Sequence, residues 1–143
     1  MTITGHSHPP ADPQRHPIPP PPMRTAAAEQ DVDHELIALL YAAARERCVP
    51  CQDVWLDRLA PDATSTASLG RWAGEALMET YGTIPDEADD EGPLSEMFRL
   101  YLGEDTYARG YEAVLTPCLE MSAAERRAAA GKAIGILAEL AQD

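Results

Sequence analysis

Apolar residues recur at three- and four-residue steps along most of the chain after Asp31, and this spacing is typical of one face of an α-helix. The first stripe predicts a helix over about residues 31–47, which begins with acidic residues suited to a helix N-terminus. This stripe consists of Val32, Leu36, Leu39, Leu40 and Ala43. No stretch alternates apolar and polar residues as a half-buried strand does, and aromatic residues make up only 6% of the chain. The sequence therefore predicts an all-α fold.

Proline and glycine divide the rest of this pattern into further helices, because proline opens or breaks a helix and glycine commonly ends one. Pro50 and Pro61 bound the second helix, Gly82 ends the third, Pro93 and Gly103 bound the fourth, and Pro117 breaks the fifth. A capping box, Ser122-Ala-Ala-Glu125, starts the last helix, at about residues 123–141. We expect this helix to be the most buried one, because its apolar residues cover more than one face. The sequence thus predicts a compact bundle of five to six short helices.

The N-terminal residues 1–24 contain eight of the 13 prolines and three of the four histidines. Because proline fixes φ and lacks an N–H donor, this part is predicted to be an extended or disordered arm. We assign residues 1–30 to the flexible arm and residues 31–143 to an acidic helical domain. The arm brings few apolar side chains to a core, so it is expected to be dispensable for folding. It is interpreted as a solvated leader, as a docking arm for a partner with an aromatic groove, or as a weak metal-binding tract.

The net charge of −13 lies wholly in residues 31–143, which hold 22 acidic and 9 basic residues. This charge argues against binding to nucleic acid, whose phosphates need a basic surface, and against a basic helix that lies on a membrane. No run of 18 apolar residues is present for a transmembrane helix, and the N-terminus lacks the pattern of a secretion signal. Since the three cysteines are an odd number, we expect reduced thiols and a cytoplasmic protein.

The pair Cys48-Val-Pro-Cys51 lies where the first predicted helix ends and the second begins. A thiol in the first turn of a helix is close to the positive end of the helix dipole, which favours the thiolate. A reduced cysteine also packs as a small apolar residue, so the same pair is suited to a structural helix corner. The sequence leaves both interpretations open and favours the structural corner.

The order Cys-x-Pro-Cys resembles the thioredoxin redox motif over four residues, although that motif follows a strand and this pair follows a predicted helix. The pair is more similar to that of the alkylhydroperoxidase D family, which is all-helical and has its CxxC pair at a helix start. In that family a histidine four residues after the second cysteine and an upstream glutamate move protons to and from the thiols. Glu35 stands near the upstream position, but Trp55 occupies the position of the histidine. Because an indole cannot accept a proton, the chain is not assigned to this family.

A metal site would need more ligands than the cysteine pair supplies. The remaining candidates in residues 31–143 are Cys118 and His34, which give a possible set of Cys48, Cys51, Cys118 and His34. The spacing of this set matches no zinc-binding pattern, so no metal is predicted. The sequence also lacks a phosphate-binding loop, a nucleophile elbow and a kinase signature, so no cofactor and no catalytic set are predicted.

Between Trp72 and Phe98 the chain has eight acidic residues and no basic one. These are Glu75, Glu79, Asp86, Glu87, Asp89, Asp90, Glu91 and Glu96. A solvated face is the usual meaning of such a run. The alternative is a binding surface that attracts a protein partner with a basic surface.

These features favour a non-enzymatic protein that acts as a protein-protein interaction or accessory module through its acidic residues, its arm or both. One alternative is a thiol-disulfide oxidoreductase or peroxidase-like protein that uses Cys48 and Cys51. Another is a structural or assembly subunit of a larger particle, in which the arm would lie on a neighbouring subunit. The sequence predicts neither the identity of the partner nor the oligomeric state.

Overall fold

A computed structural model describes residues 11–20, 30–83, 92, 94 and 118–141 of the chain. Within these ranges it contains four α-helices, one short 3-10 turn at Pro13–Arg15 and no β-strand, which confirms the all-α prediction. The helices are α1 (His34–Arg45), α2 (Val49–Leu59), α3 (Ala63–Tyr81) and α4 (Ala123–Leu140). None of these helices combines the length and the apolar character that a membrane crossing would require.

Polar side chains satisfy the first N–H groups of three of these helices. The Asp33 carboxylate accepts a hydrogen bond from the Leu36 N–H at 3.0 Å and so caps α1. At the start of α4 the predicted capping box is confirmed, because the Ser122 hydroxyl accepts from the Glu125 N–H and the Glu125 carboxylate accepts from the Ser122 N–H, each at 3.1 Å. Gly82 ends α3 with a φ of 75°, a left-handed conformation that glycine adopts at little cost.

A polar junction around the buried Ser65 joins the starts of α1 and α3. Asp62 caps α3 by accepting from the Ser65 N–H at 3.0 Å, and its other carboxylate oxygen accepts from the Ser65 hydroxyl at 2.7 Å. The same hydroxyl accepts from the Asp33 N–H at 2.8 Å. The Ser65 hydroxyl both donates and accepts a hydrogen bond, so its burial leaves no polar atom unsatisfied.

The helices surround one core, in which α4 packs against α1, α2 and α3. The largest fully buried side chains are Trp72, Tyr41, Leu40, Leu59, Leu69, Leu94, Ile134, Leu137 and Thr66.

The prediction that the last helix is the most buried was wrong for the described helices. Helix α3 buries eleven of its 19 residues, whereas α4 buries six of its 18. The reason is that neighbours cover all sides of α3 from Ser65 to Gly70, while α4 keeps one face in water.

Residues 11–20, which the sequence placed in the flexible arm, pack against the bundle. The Ala11 N–H donates to the Ala38 carbonyl of α1 at 3.3 Å, and Ile18 contacts the core. Residues 1–10 and 21–29 of the predicted arm lie outside the described residues, so the assignment of residues 1–30 to a separate arm stays a prediction. The predicted fourth and fifth helices also lie outside them, apart from the buried, helical Leu94.

Candidate functional site

The cysteine pair lies at a tight corner between α1 and α2. Helix α1 ends in a Schellman motif, in which the Arg47 N–H donates to the Ala44 carbonyl at 3.0 Å and the Cys48 N–H donates to the Ala43 carbonyl at 2.9 Å. Arg47 has a φ of 55°, a left-handed conformation that costs a non-glycine residue about 1 kcal/mol. The carbonyl of Cys48 then accepts the first hydrogen bond of α2, from the Gln52 N–H at 3.0 Å. The backbone of Cys48 therefore ends one helix and begins the next.

The sulfur of Cys51 is buried under this corner, and the residue is only 1% exposed. Burial raises the pKa of the Cys51 thiol, and a hydrogen bond with the Cys48 side chain raises it further. The first turn of a helix favours a thiolate, but loss of hydration acts in the opposite direction, and the pKa of the Cys51 thiol is raised. The thiol form of Cys51 is therefore the stable one at neutral pH.

Trp55 lies one turn after Cys51, where a proton-accepting histidine would stand in a helical thiol enzyme. It is 6% exposed, and the guanidinium of Arg58 lies 5.3 Å from the centre of its ring. The ring packs in the core and takes part in a cation–π contact. An indole supplies no proton acceptor to the cysteine pair.

Cys118 is also fully buried, and it lies just before α4. Burial raises the pKa of its thiol to about 12, although the positive charge of Arg126 acts in the opposite direction. Arg126 donates to the carbonyls of Cys118, Met121 and Ala60, at 2.8, 2.8 and 2.6 Å, and thereby ties the start of α4 to the end of α2. Cys118 thus lies in a structural junction.

The four candidate metal ligands do not come together. His34 is the first residue of α1 and Cys48 follows its last turn, so the 12-residue helix separates them by about 18 Å. Within the part of the chain that the structure describes, no three histidine, cysteine, aspartate or glutamate side chains are grouped as metal ligands. None of the three cysteines forms a disulfide.

The described part of the acidic set lies at the end of α3. Glu75 is half-buried and Glu79 is exposed in the last turn, where the helix carries no basic residue. Tyr81, the last residue of the helix, is 57% exposed. The other members of the set, Asp86, Glu87, Asp89, Asp90, Glu91 and Glu96, lie outside the described residues.

A cluster around His16 joins residues 11–20 to α1, α3 and α4. The ring of His16 is buried between Tyr41 of α1, at 5.9 Å between ring centres, and Trp72 of α3, at 5.3 Å. Its Nε2 lies 2.8 Å from the carbonyl oxygen of Leu137 in α4, and its Nδ1 accepts a hydrogen bond from the Ile18 N–H at 2.9 Å. Because Nδ1 accepts, the proton of the neutral ring is on Nε2, which donates to the carbonyl. Nε2 therefore fixes the segment to α4, and Nδ1 fixes the conformation of residues 16–18.

The sequence placed His16 in a solvated arm and did not include Tyr41 in the apolar stripe of the first helix. One signal was present, since the His-Pro-Ile-Pro order of residues 16–19 puts an aliphatic residue among prolines that would otherwise be solvated. The contact partner of His16, Leu137, lies 121 residues away in the chain. Sequence periodicity reports only local spacing, so it could not identify this pair.

No protein-family model matches this chain, and no curated protein or solved structure is significantly similar to it. The function is therefore inferred from its own residues.

Proposed function

We propose that this protein is a non-enzymatic protein-binding module, and that its binding surface is the exposed end of α3 together with the acidic residues that follow. The observation that carries this proposal is the exposed aromatic side chain of Tyr81 at the end of a helix whose last turn contains Glu79 and no basic residue. Tyrosine is enriched among the residues that dominate binding energy at protein interfaces. We call Glu75, Glu79 and Tyr81 the α3 end surface.

The charge at this surface supports a role in binding. The C-terminal end of a helix carries a partial negative charge, so an acidic residue in the last turn costs about 0.3–1 kcal/mol relative to a favourable cation. Glu79 occupies this unfavourable position, and the six acids of residues 86–96 follow it in the chain. A basic partner would gain from the charge, because complementary potentials accelerate association.

The thiol-oxidoreductase alternative has less support from the residues that it requires. The Cys51 sulfur is buried and its pKa is raised, whereas a nucleophilic thiol needs a lowered pKa and access to its substrate. The proposal therefore treats Cys48 and Cys51 as a structural corner. It also includes the cytoplasm as the compartment, where these thiols would remain reduced.

The test uses two matched charge reversals in the full chain, Glu79→Lys and Glu139→Lys. Both residues are exposed and lie in the last turn of a helix that has no basic residue there. Each change should leave stability unchanged or raise it slightly, through the helix dipole. Partners are captured from a lysate of the source cell on the immobilised protein, identified, and measured by surface plasmon resonance at two salt concentrations.

We expect Glu79→Lys to slow association of the captured partner roughly threefold or more at low salt, with a smaller effect at high salt. Tyr81→Ala should increase the dissociation rate, because it removes an aromatic anchor. Glu139→Lys should behave as the parent protein does. Equal effects of the two reversals, or no effect of either, would contradict the proposal that the α3 end surface is the binding site.

A further inference from the structure

Residues 16–18 are held on the bundle in the manner of a bound peptide. Their contacts come from a surface formed by the rings of Tyr41 and Trp72 and the carbonyl of Leu137, which we call the aromatic site. The indole N–H of Trp72 donates to the Ile18 carbonyl at 2.6 Å, so the backbone of the segment is bound as well as its side chains. Aromatic sites in proteins commonly bind extended, proline-rich chains.

The two prolines next to Ile18 stiffen the segment without contributing to the core. Pro17 and Pro19 are exposed, whereas His16 is buried and Ile18 is half-buried against the core. His16 has φ −61° and ψ 144°, close to the polyproline II conformation. The segment therefore directs its first and third residues to the aromatic site and keeps its prolines in water. Prolines in these positions reduce the entropy that is lost on docking.

We propose that the aromatic site is a peptide-docking site whose occupant in this structure is the chain's own segment. The partner that it fits is a segment of another protein chain in which a neutral histidine is followed, after one proline, by an aliphatic residue. Such a segment would make the contacts that His16 and Ile18 make with the site. These are the ring contacts with Tyr41 and Trp72, the hydrogen bond to the Leu137 carbonyl, and the bond from the Trp72 indole to the Ile18 carbonyl. The tethered segment occupies the site until it is displaced.

Because residues 16–18 belong to the same chain as the aromatic site, a separate peptide must compete with them for that site. Nine residues, 21–29, connect Pro20 with the start of the described domain. A ligand in the same chain as its site can have an effective concentration on the order of millimolar. A separate peptide with the same sequence therefore binds measurably only at comparable concentrations, unless the tethered segment is weakened.

The experiment measures binding of a fluorescein-labelled peptide of residues 11–20, ADPQRHPIPP, to the full chain by fluorescence anisotropy at pH 7.5. The parent protein is compared with His16→Ala, in which the tethered segment has lost its anchor, and with His34→Ala as a control for an exposed histidine. We expect His16→Ala to bind the peptide at least tenfold more tightly than either the parent or the control. A peptide in which alanine replaces the histidine should not bind any of the three.

A second variant keeps the proposal testable if His16→Ala folds poorly. The double change Pro17→Gly with Pro19→Gly alters only exposed side chains, yet it makes the tethered segment more flexible and so weakens its docking. It should also increase peptide binding over the parent. Failure of both variants to bind the peptide up to millimolar concentration, with native circular dichroism, would overturn the proposal. Equal binding of the histidine and alanine peptides would overturn it as well.

Discussion

Two substitutions at His16 separate its two hydrogen bonds. In His16→Asn the amide oxygen can take the place of Nδ1, so the bond from the Ile18 N–H is kept and the bond to the Leu137 carbonyl is lost. In His16→Gln the amide nitrogen can take the place of Nε2, so the opposite bond is kept. His16→Ala removes both bonds and the ring contacts with Tyr41 and Trp72.

The expected losses of stability follow from these contacts. A hydrogen bond contributes about 0.5–1.5 kcal/mol net, and an aromatic pair about the same beyond its buried area. The carbonyl of Leu137 also accepts from the Ala141 N–H at 3.1 Å, so the loss of the histidine leaves no unsatisfied acceptor there. Since the segment can detach instead of leaving a cavity, the loss is limited to its docking free energy. We expect about 1–3 kcal/mol for His16→Ala and about 0.5–1.5 kcal/mol for each amide.

Urea unfolding followed by circular dichroism gives the free energies, and NMR hydrogen exchange at the Ile18 amide identifies the bond that remains. Exchange should stay slow in His16→Asn and become fast in His16→Gln and His16→Ala. The Trp72 indole proton should lose protection in His16→Ala, because its acceptor is the carbonyl of Ile18. If all three variants stayed within about 0.5 kcal/mol of the parent, the size usual for surface sites, the docking of this segment would be refuted. Residues 1–24 would then be dispensable, as the sequence suggested.

Three further predictions concern the core, a buried thiol and the acidic residues. Leu137→Ala should lower the free energy of unfolding in urea by about 2–5 kcal/mol, because the side chain is 0% exposed, and a loss below about 0.5 kcal/mol would contradict its place in the core. The pKa of Cys118 is raised to about 12 by burial, so stability is complete below the pKa of the unfolded thiol and falls above about pH 9, by about 1.4 kcal/mol per unit. Cys118→Ala should remove that part of the alkaline slope in melts at pH 8–10, and an unchanged slope would contradict the burial. Reversal of Asp89, Asp90 and Glu91 to lysine should slow partner association with little change in melting temperature, and binding that is indifferent to both reversal and salt would contradict electrostatic attraction.

The helix ends were predictable because their causes are local. Asp33 and Ser122 each cap a helix through a bond to a residue three positions ahead, and Gly82 ends α3 through its own φ. Burial is different, because it depends on which elements lie opposite. Ser65 and Thr66 are polar, yet both are buried, since the carboxylate and the carbonyl of Asp62 accept hydrogen bonds from their hydroxyls. The high burial of α3 therefore comes from neighbours that periodicity does not describe.

The cysteine pair shows why a position at a helix start does not by itself make a thiol reactive. The sequence placed Cys51 at a helix start, and α2 does begin two residues before it. A helix dipole contributes about 0.3–1 kcal/mol in favour of the thiolate, which is less than one pKa unit, whereas burial can raise a pKa by several units. Because Cys51 is only 1% exposed, the effect of burial is the larger one, and the pKa of its thiol is raised. The position of a cysteine at a helix start therefore predicts reactivity only where the sulfur also remains in contact with water, and at Cys51 the packing of α2 removes that contact.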